Sequence, residues 1–266
     1  MVVRVGTLLH QGWRLRHALW HLLLRQLQAR TRGSILGLGW LVLEPLFLFV
    51  LYTLVFGRIL QVRFDTGDSL GQFALYLWCG LIPYNSLQQA VLASVGVLPG
   101  NRPLLLHTRF PGWLLPLVEV MASMVTEMIG LAILLLALGF GPGLSSWLGL
   151  VPVLLMVRGL LSLGLAWISS VLTVFLPDFG QLLRLLLTLG FFATPIIYPP
   201  SMIPSGWGWL MALNPFHWLI AAYRSVFLEG AAPSSGFWML VPASVLFAGM
   251  ALIFFNRALG RAKDFL

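Results

Sequence analysis

The stretch from Arg30 to Leu60 constrains this chain more than any other. It reads R-T-R-G-S-I-L-G-L-G-W-L-V-L-E-P-L-F-L-F-V-L-Y-T-L-V-F-G-R-I-L. The arginines stop at Arg32, and an apolar run follows from Leu38 to Leu60. About 20 such residues suffice to cross a bilayer as a helix. One carboxylate, Glu44, stands inside the run against Pro45. A helix in lipid accepts a charge and a proline only where neighbouring protein or trapped water satisfies them. This span is therefore expected to face protein or a pathway on at least one side.

Apolar runs of the same kind recur along the chain. Apolar residues make up 59% of the 266 positions and charged residues only 9%, where a soluble domain carries about 25% charged residues. The expected fold is an all-α polytopic membrane protein, with residues 1–266 forming one transmembrane domain and no long extramembrane domain for soluble catalysis. A net charge of +8 raises nucleic acid as a partner. The arginines cluster in a few loops, however, which the retention of positive charge on the cytoplasmic side explains better. Cys79 is the sole cysteine, so an internal disulfide is excluded. The N-terminal arginines spread over some thirty residues with no compact apolar core ending at a small-residue cleavage site, unlike a cleavable signal peptide.

Residues 8–30 read as an amphipathic interfacial helix. His10, Arg14, His17, His21, Arg25 and Gln28 fall on one stripe. Leu9, Trp13, Trp20, Leu23, Leu24 and Leu27 form an apolar face suited to the headgroup layer. His17 and His21 have metal-ligand spacing but no evident third ligand, and an interfacial polar stripe accounts for them as well. Six spans follow, at 38–60, 71–94, 113–140, 147–175, 182–198 and 237–255. Pro83, Tyr84, Asn85 and Ser86 predict a bend and some polar backbone in the second. Residues 97–111, rich in proline, glycine and basic residues, read as a loop with a short helix. Residues 199–224 are rich in proline and tryptophan. Their apolar run is too short to cross and is broken at Asn214-Pro215, so they read as a re-entrant outer hairpin.

Twelve basic residues, counting those before the first span, in the second and fourth connections and in the tail, fall on one side. Arg58, Arg63 and Arg224 fall on the other. That asymmetry puts both termini in the cytoplasm.

Three acids and one arginine lie well inside the spans, while Arg58 and Arg184 stand two residues from span ends. Glu127 is 14 residues beyond Trp113 and Arg158 is 11 beyond Trp147, depths of about 21 and 16 Å from opposite sides at helical rise. In a hydrocarbon core of about 30 Å these positions let the two side chains pair between antiparallel neighbours. The pair serves either packing or a conduction path. Glu119 is expected near the cytoplasmic surface, in reach of water. Glu44 is the residue best placed for proton coupling, although no inverted repeat supports that chemistry. At six residues into its span, about 9 Å, it suits a channel entrance or a cap on backbone freed by proline better. The chain has no G-x-x-x-x-G-K-[ST] phosphate loop. No serine–histidine–acid arrangement stands out. His217, beside Trp218, leaves open an intramembrane transferase as well as an interfacial role.

Several stretches, in order, resemble one family. They are Ser34, Leu36-Gly37, Trp40 and Leu43-Glu44-Pro45, then Phe110-Pro111 with Leu115-Pro116, then Val174-Phe175 with Asp178. A C-terminal series follows: Thr194-Pro195-Ile196-Ile197-Tyr198, Met202-Ile203-Pro204, Leu213-Asn214-Pro215 and Ala222-Tyr223-Arg224. Together they resemble the membrane subunit of bacterial ABC-type exporters of lipid-linked polysaccharide, such as O-antigen, capsule or teichoic acid. The chain departs from the family at Leu106 and His107, where lysines are common, at Arg109, where an aromatic is frequent, and at Pro177, where arginine is frequent.

The resemblance implies a channel-forming permease with no catalytic residues and no cofactor or metal of its own. It implies a homodimer in the bacterial inner membrane, joined to two copies of an ABC ATPase that bind ATP and magnesium. A lipid-linked polysaccharide would be the substrate, membrane lipid the surroundings and an envelope-spanning export protein a further partner; no nucleic acid is implied. Asn101, Arg102, Leu105, His107, Arg109 and Phe110 would meet the ATPase. Arg25, Arg30 and Arg32 would stand at the entrance, near Glu44, either attracting a pyrophosphate or only obeying the positive-inside rule. Trp40, Phe47, Tyr52, Tyr84 and Tyr198 would offer sugar-stacking rings or simply pack helices. The competing readings are a related permease for drugs or another lipid, and a stand-alone enzyme acting on lipid-linked sugar.

Overall fold

The computed structural model describes residues 16–30, 33–59, 70–108, 110–139, 143 and 145–265, and among them there is helix but no strand. Arg32, Arg109, residues 8–15 of the expected interfacial helix and the loop at 61–69 lie outside the described residues. In chain order the helices are α1 (Arg16–Arg30), α2 (Trp40–Tyr52, continued by a wider π turn over Thr53–Ile59) and α3 (Leu70–Ser94). Next come two short helices, α4 (Val97–Gly100) and α5 (Arg102–His107), followed by α6 (Leu114–Gly139) and α7 (Val151–Phe175). The series ends with α8 (Phe179–Ala193), α9 (Gly208–Leu213), α10 (Pro215–Arg224) and α11 (Ser235–Phe265). Gly33 and Gly37 have φ of +79° and +49°, which turns the chain between α1 and α2 at positions that L side chains rarely adopt.

The bundle is built around α3. Its neighbours are α6, α7, α8 and α10, with α2 along one side. Nearly every residue from Phe73 to Ala90 is buried or half-buried. Four stretches are long and apolar enough to cross a membrane: Gly37–Val55, Leu114–Gly139, Ser146–Phe175 and Ser235–Phe265. The expected six spans include two more helices that this criterion does not pick out. One is α3, whose polar Asn85, Ser86, Gln88 and Gln89 lower its apolar character. Because protein surrounds α3, those side chains need not meet lipid. The other is α8, at 15 residues about 22 Å long, short of a 30 Å core.

Several boundaries differ from the sequence reading. The fifth helix runs 179–193 rather than 182–198, because Pro195 ends it and the Thr194–Tyr198 segment is non-helical. The tail beyond 255 is not a separate segment. It continues α11 to Phe265, since Ala, Leu, Arg and Lys are strong helix formers even past the apolar run. At 31 residues α11 is about 46 Å long. Its end packs on the short helices, with Leu98, Leu105, Val171 and Phe255 buried in one cluster.

The most extensive helix pair is α7 with α11. Gly164 permits it, because the Phe247 ring sits where a Cβ would stand. Gly164→Leu is expected to lower stability by about 1–3 kcal/mol through overpacking. Gly249→Leu, at a position with nothing within 4 Å, is expected to leave it unchanged. Thermal unfolding of both variants in detergent makes the comparison; equal effects would show that the Gly164 contact carries no special weight.

Candidate functional site

The centre of the bundle holds a buried polar network. Arg158 on α7 and Glu127 on α6 are both fully buried. Arg158 donates through Nε to Glu127 Oε2 at 2.6 Å and through Nη2 to the same oxygen. Its Nη1 donates to Ser123 Oγ at 3.0 Å and reaches Ser162 Oγ at 3.5 Å. Tyr223 on α10 donates to Glu127 Oε1 at 2.6 Å. Ser86 on α3 donates to the Ser123 carbonyl at 2.7 Å. The structure thus brings together the two charges that helical depth had placed at similar levels, and adds partners from α3 and α10. Ser123 and Ser162 stood one helical turn from Glu127 and Arg158, a spacing that could have revealed them. Tyr223 is 96 residues from Glu127, and no local pattern announces it.

Beside this network lies a cavity of about 310 Å³ between α2, α3 and α6. Glu44 and Tyr52 line it from α2, Asn85, Gln88 and Gln89 from α3, and Thr126 from α6. No residue of α2 is buried. One side of the helix gives onto this polar cavity, as the sequence required of a span holding Glu44 and Pro45. The other side is an apolar groove lined by Trp40, Leu43, Leu46, Phe47 and Val50.

The helix α1 docks on α6 at its C-terminal end. Gln26 donates to Glu119 Oε2 at 2.9 Å, and Arg30 Nη2 lies 3.8 Å from the same oxygen. Glu119, expected in reach of water, is instead 4% exposed. The covering α1 helix excludes solvent and supplies the cation and the amide that the carboxylate needs. Burial pushes the Arg30 guanidinium below its ordinary pKa, while the Glu119 and Glu44 carboxylates push it back up. Arg25, His17 and His21 are exposed on α1. Among the described residues no three His, Cys, Asp or Glu side chains gather as a metal site.

The expected ring-lined path is distributed unevenly. Trp40 and Phe47 are exposed, Tyr52 is half-buried and Tyr198 is half-buried with its hydroxyl donating to the Phe192 carbonyl at 2.6 Å. Tyr84 is corrected. It is 2% exposed, donates to the Leu187 carbonyl and meets Phe191 and Phe216 edge-on, so its ring is held between helices rather than presented to a path.

On the side of α4 and α5, Arg102 and His107 are exposed and Phe110 is half-buried. The Asn101 side chain donates to the Val97 carbonyl at 2.8 Å and holds the two short helices at their joint. Leu105, named with the residues that would meet the ATPase, is 1% exposed. It turns inward because the apolar end of α11 supplies a core for it, with Gly112 admitting Leu105 and Leu259 to the same spot.

At the opposite end of α3, Arg224 is not a loop charge, as the topology count had taken it to be. It is 5% exposed, donates to the carbonyls of Pro195 and Ile196 at 2.7 and 2.8 Å, and lies 3.5 Å over the Tyr76 ring. Pro195 ends α8 and leaves carbonyls without helical partners, which the planar guanidinium then takes. Asn214 caps α10, accepting from the Phe216 N–H at 2.9 Å and donating to Thr194 Oγ1 at 2.9 Å. Burial holds the nearby His217 imidazole below its ordinary pKa, and Arg224 acts in the same direction.

Comparison with known proteins gives a consistent result. The profile of the family described as "ABC-2 type transporter" matches residues 17–228. The chain is 29% identical to an O-antigen export system permease protein, RfbA, of Myxococcus xanthus over 231 residues, covering 86% of each chain. It is 25% identical to the protein of that name from Klebsiella pneumoniae over 245 residues, covering 91% of this chain and 92% of the relative.

Proposed function

The chain belongs to the ABC-2 type transporter family, and from that premise we propose that it is the permease subunit of an ATP-driven exporter of lipid-linked polysaccharide. The observation that carries this reading is the co-linear similarity, over most of both chains, to permeases named for O-antigen export. It is supported by a multi-pass helical framework whose fully buried Arg158 and Glu127 are paired in the core. In this reading the chain is not an enzyme. A separate ATPase binds ATP and magnesium, and two copies of it join a permease homodimer in the bacterial inner membrane. Six crossings put both termini in the cytoplasm, with α3 and α8 as the second and fifth. The segment 199–224 forms a re-entrant outer hairpin, and an envelope-spanning protein receives the product.

The exposed Arg102 and His107 of α5 supply the contact with the ATPase, while Leu105 anchors that contact to the end of α11. Movement of the α4–α5 pair then passes directly to α7 and α11 through their shared core. Co-purification with a P-loop ATPase, and stimulation of its hydrolysis, tests the reading; absence of a stable partner would overturn it. Within that complex Arg102→Glu is expected to weaken ATPase binding about ten-fold, the effect of about 1.4 kcal/mol of lost charge complementarity. Unchanged binding and hydrolysis in that variant would remove Arg102 from the contact. Loss of surface polysaccharide with intracellular accumulation identifies the cargo, and export of another lipid or a drug instead would select the related-permease reading.

A further inference from the structure

We propose that the cavity between α2, α3 and α6 is a recognition site for one sugar unit of a membrane-embedded glycolipid, separate from the apolar groove on the other side of α2. Its volume of about 310 Å³ falls at the lower end of small-ligand sites, about 300–1,000 Å³. Its chemistry is that of hydroxyl recognition. Three carboxamides, Asn85, Gln88 and Gln89, stand with the Thr126 hydroxyl and the Glu44 carboxylate around one space. Carboxamides donate and accept together, and a carboxylate accepts, so this set can meet a ring of hydroxyls from several sides. Tyr52 and Trp78 contribute ring surface to the same lining, and such surface packs against the apolar C–H faces of a sugar.

Three observations narrow the ligand. Among the described residues no lysine or arginine lines the cavity, which disfavours phosphate and other anions. Glu127 accepts from Arg158 at Oε2 and from Tyr223 at Oε1, and its charge is already offset by the Arg158 guanidinium, so it offers little to a cation. The Oε1 oxygen of Gln89 is buried and accepts no hydrogen bond among the described residues. A buried amide oxygen left so is costly, and a hydroxyl donor removes the cost. Glu44 is exposed while lining the cavity, so it stands where the space opens. Glu44, Leu48 and Tyr52 all line the cavity and recur every four residues along one face of α2. A ligand held there is held against the first span itself.

The inference takes the identity of the sugar's lipid carrier from the export reading, but the site's chemistry stands without it. The test places a single cysteine in the cavity by Gln88→Cys, with the buried Cys79 removed as Cys79→Ala. The permease alone, in nanodiscs of phosphatidylglycerol and phosphatidylethanolamine, is alkylated with N-ethylmaleimide and the rate followed by mass spectrometry. Octyl β-glucoside, below its micelle-forming concentration, is the probe. The octyl ether of tetraethylene glycol and octylamine are the controls. The glucoside is expected to slow alkylation about ten-fold at ten times its dissociation constant, and the two controls are expected to leave the rate unchanged. Adding Gln89→Leu, or the exposed change Glu44→Gln, is expected to abolish the protection without altering the unprotected rate. Equal protection by the ether or by octylamine, no protection, protection that survives both added changes, or a cysteine that never reacts would each overturn the proposal. Failure here with ATPase stimulation intact removes the sugar site and leaves the export reading. Protection without any ATPase partner removes the export reading and leaves the site.

Discussion

Glu127→Ala is expected to destabilise the protein by about 3–5 kcal/mol, because it leaves the fully buried Arg158 without its carboxylate. That is a large share of the 5–15 kcal/mol by which domains are typically stable. Ser123 and Ser162 would remain as neutral acceptors, and neutral oxygens do not offset a buried guanidinium. The double variant Glu127→Leu with Arg158→Met removes both charges and keeps apolar volume. It is expected to be more stable than either single variant, since desolvation of the pair is removed along with its attraction. Tyr223→Phe removes one hydrogen bond to the carboxylate and is expected to cost about 1.5–3 kcal/mol. Thermal unfolding in one detergent measures these variants, and strictly additive effects of Glu127→Leu and Arg158→Met would show that the two charges are not coupled. The double variant also separates two roles. Folding with normal export assigns the pair to packing, and folding without export assigns it to the transport path.

Arg224→Met is expected to release the segment between α8 and α10. The guanidinium satisfies the Pro195 and Ile196 carbonyls and lies over Tyr76, so its loss frees two buried acceptors and one ring contact. The net cost is about 2–4 kcal/mol, as two charge-assisted bonds are lost and the burden of burying the charge is relieved. Hydrogen exchange or limited proteolysis is expected to show opening confined to 194–213, with α6 and α7 as protected as before. Arg224→Lys is expected not to rescue, because an ammonium cannot present two parallel donors to two carbonyls. Equal protection of 194–213 in Arg224→Met and the parent would show that the prolines alone hold the segment.

How far the sequence carried depended on whether a signal was local. The intramembrane pair was legible because helical rise converts residue counts into depth, and two opposite charges at one depth in lipid have few other partners. The α4–α5 region was legible from proline, glycine and basic residues that exclude a span. Glu119 was misread because its neighbours along α6 cannot reveal that α1, some ninety residues earlier, lies over it. Arg224 was misread because counting loop charges treats every arginine as solvated, whereas this one fills the gap that Pro195 opens at the end of α8. For Tyr84 the sequence left path and packing both open, and Leu105 was expected to meet the ATPase; only packing against α8, α10 and α11 places both inside.

By itself the sequence determined the solvent of this protein and the helical state that solvent enforces. Runs of apolar residues have nowhere else to go, and in lipid the backbone must satisfy its own hydrogen bonds. It also required that Glu44 and Pro45 meet something other than lipid. What they meet was decided by tertiary structure. The central helix α3 brings its carboxamides to the same space, and α6 and α7 close the charged network behind it. Those contacts join residues tens of positions apart, so no periodicity within one helix encodes them. They follow from which faces remain to be covered once every helix has formed.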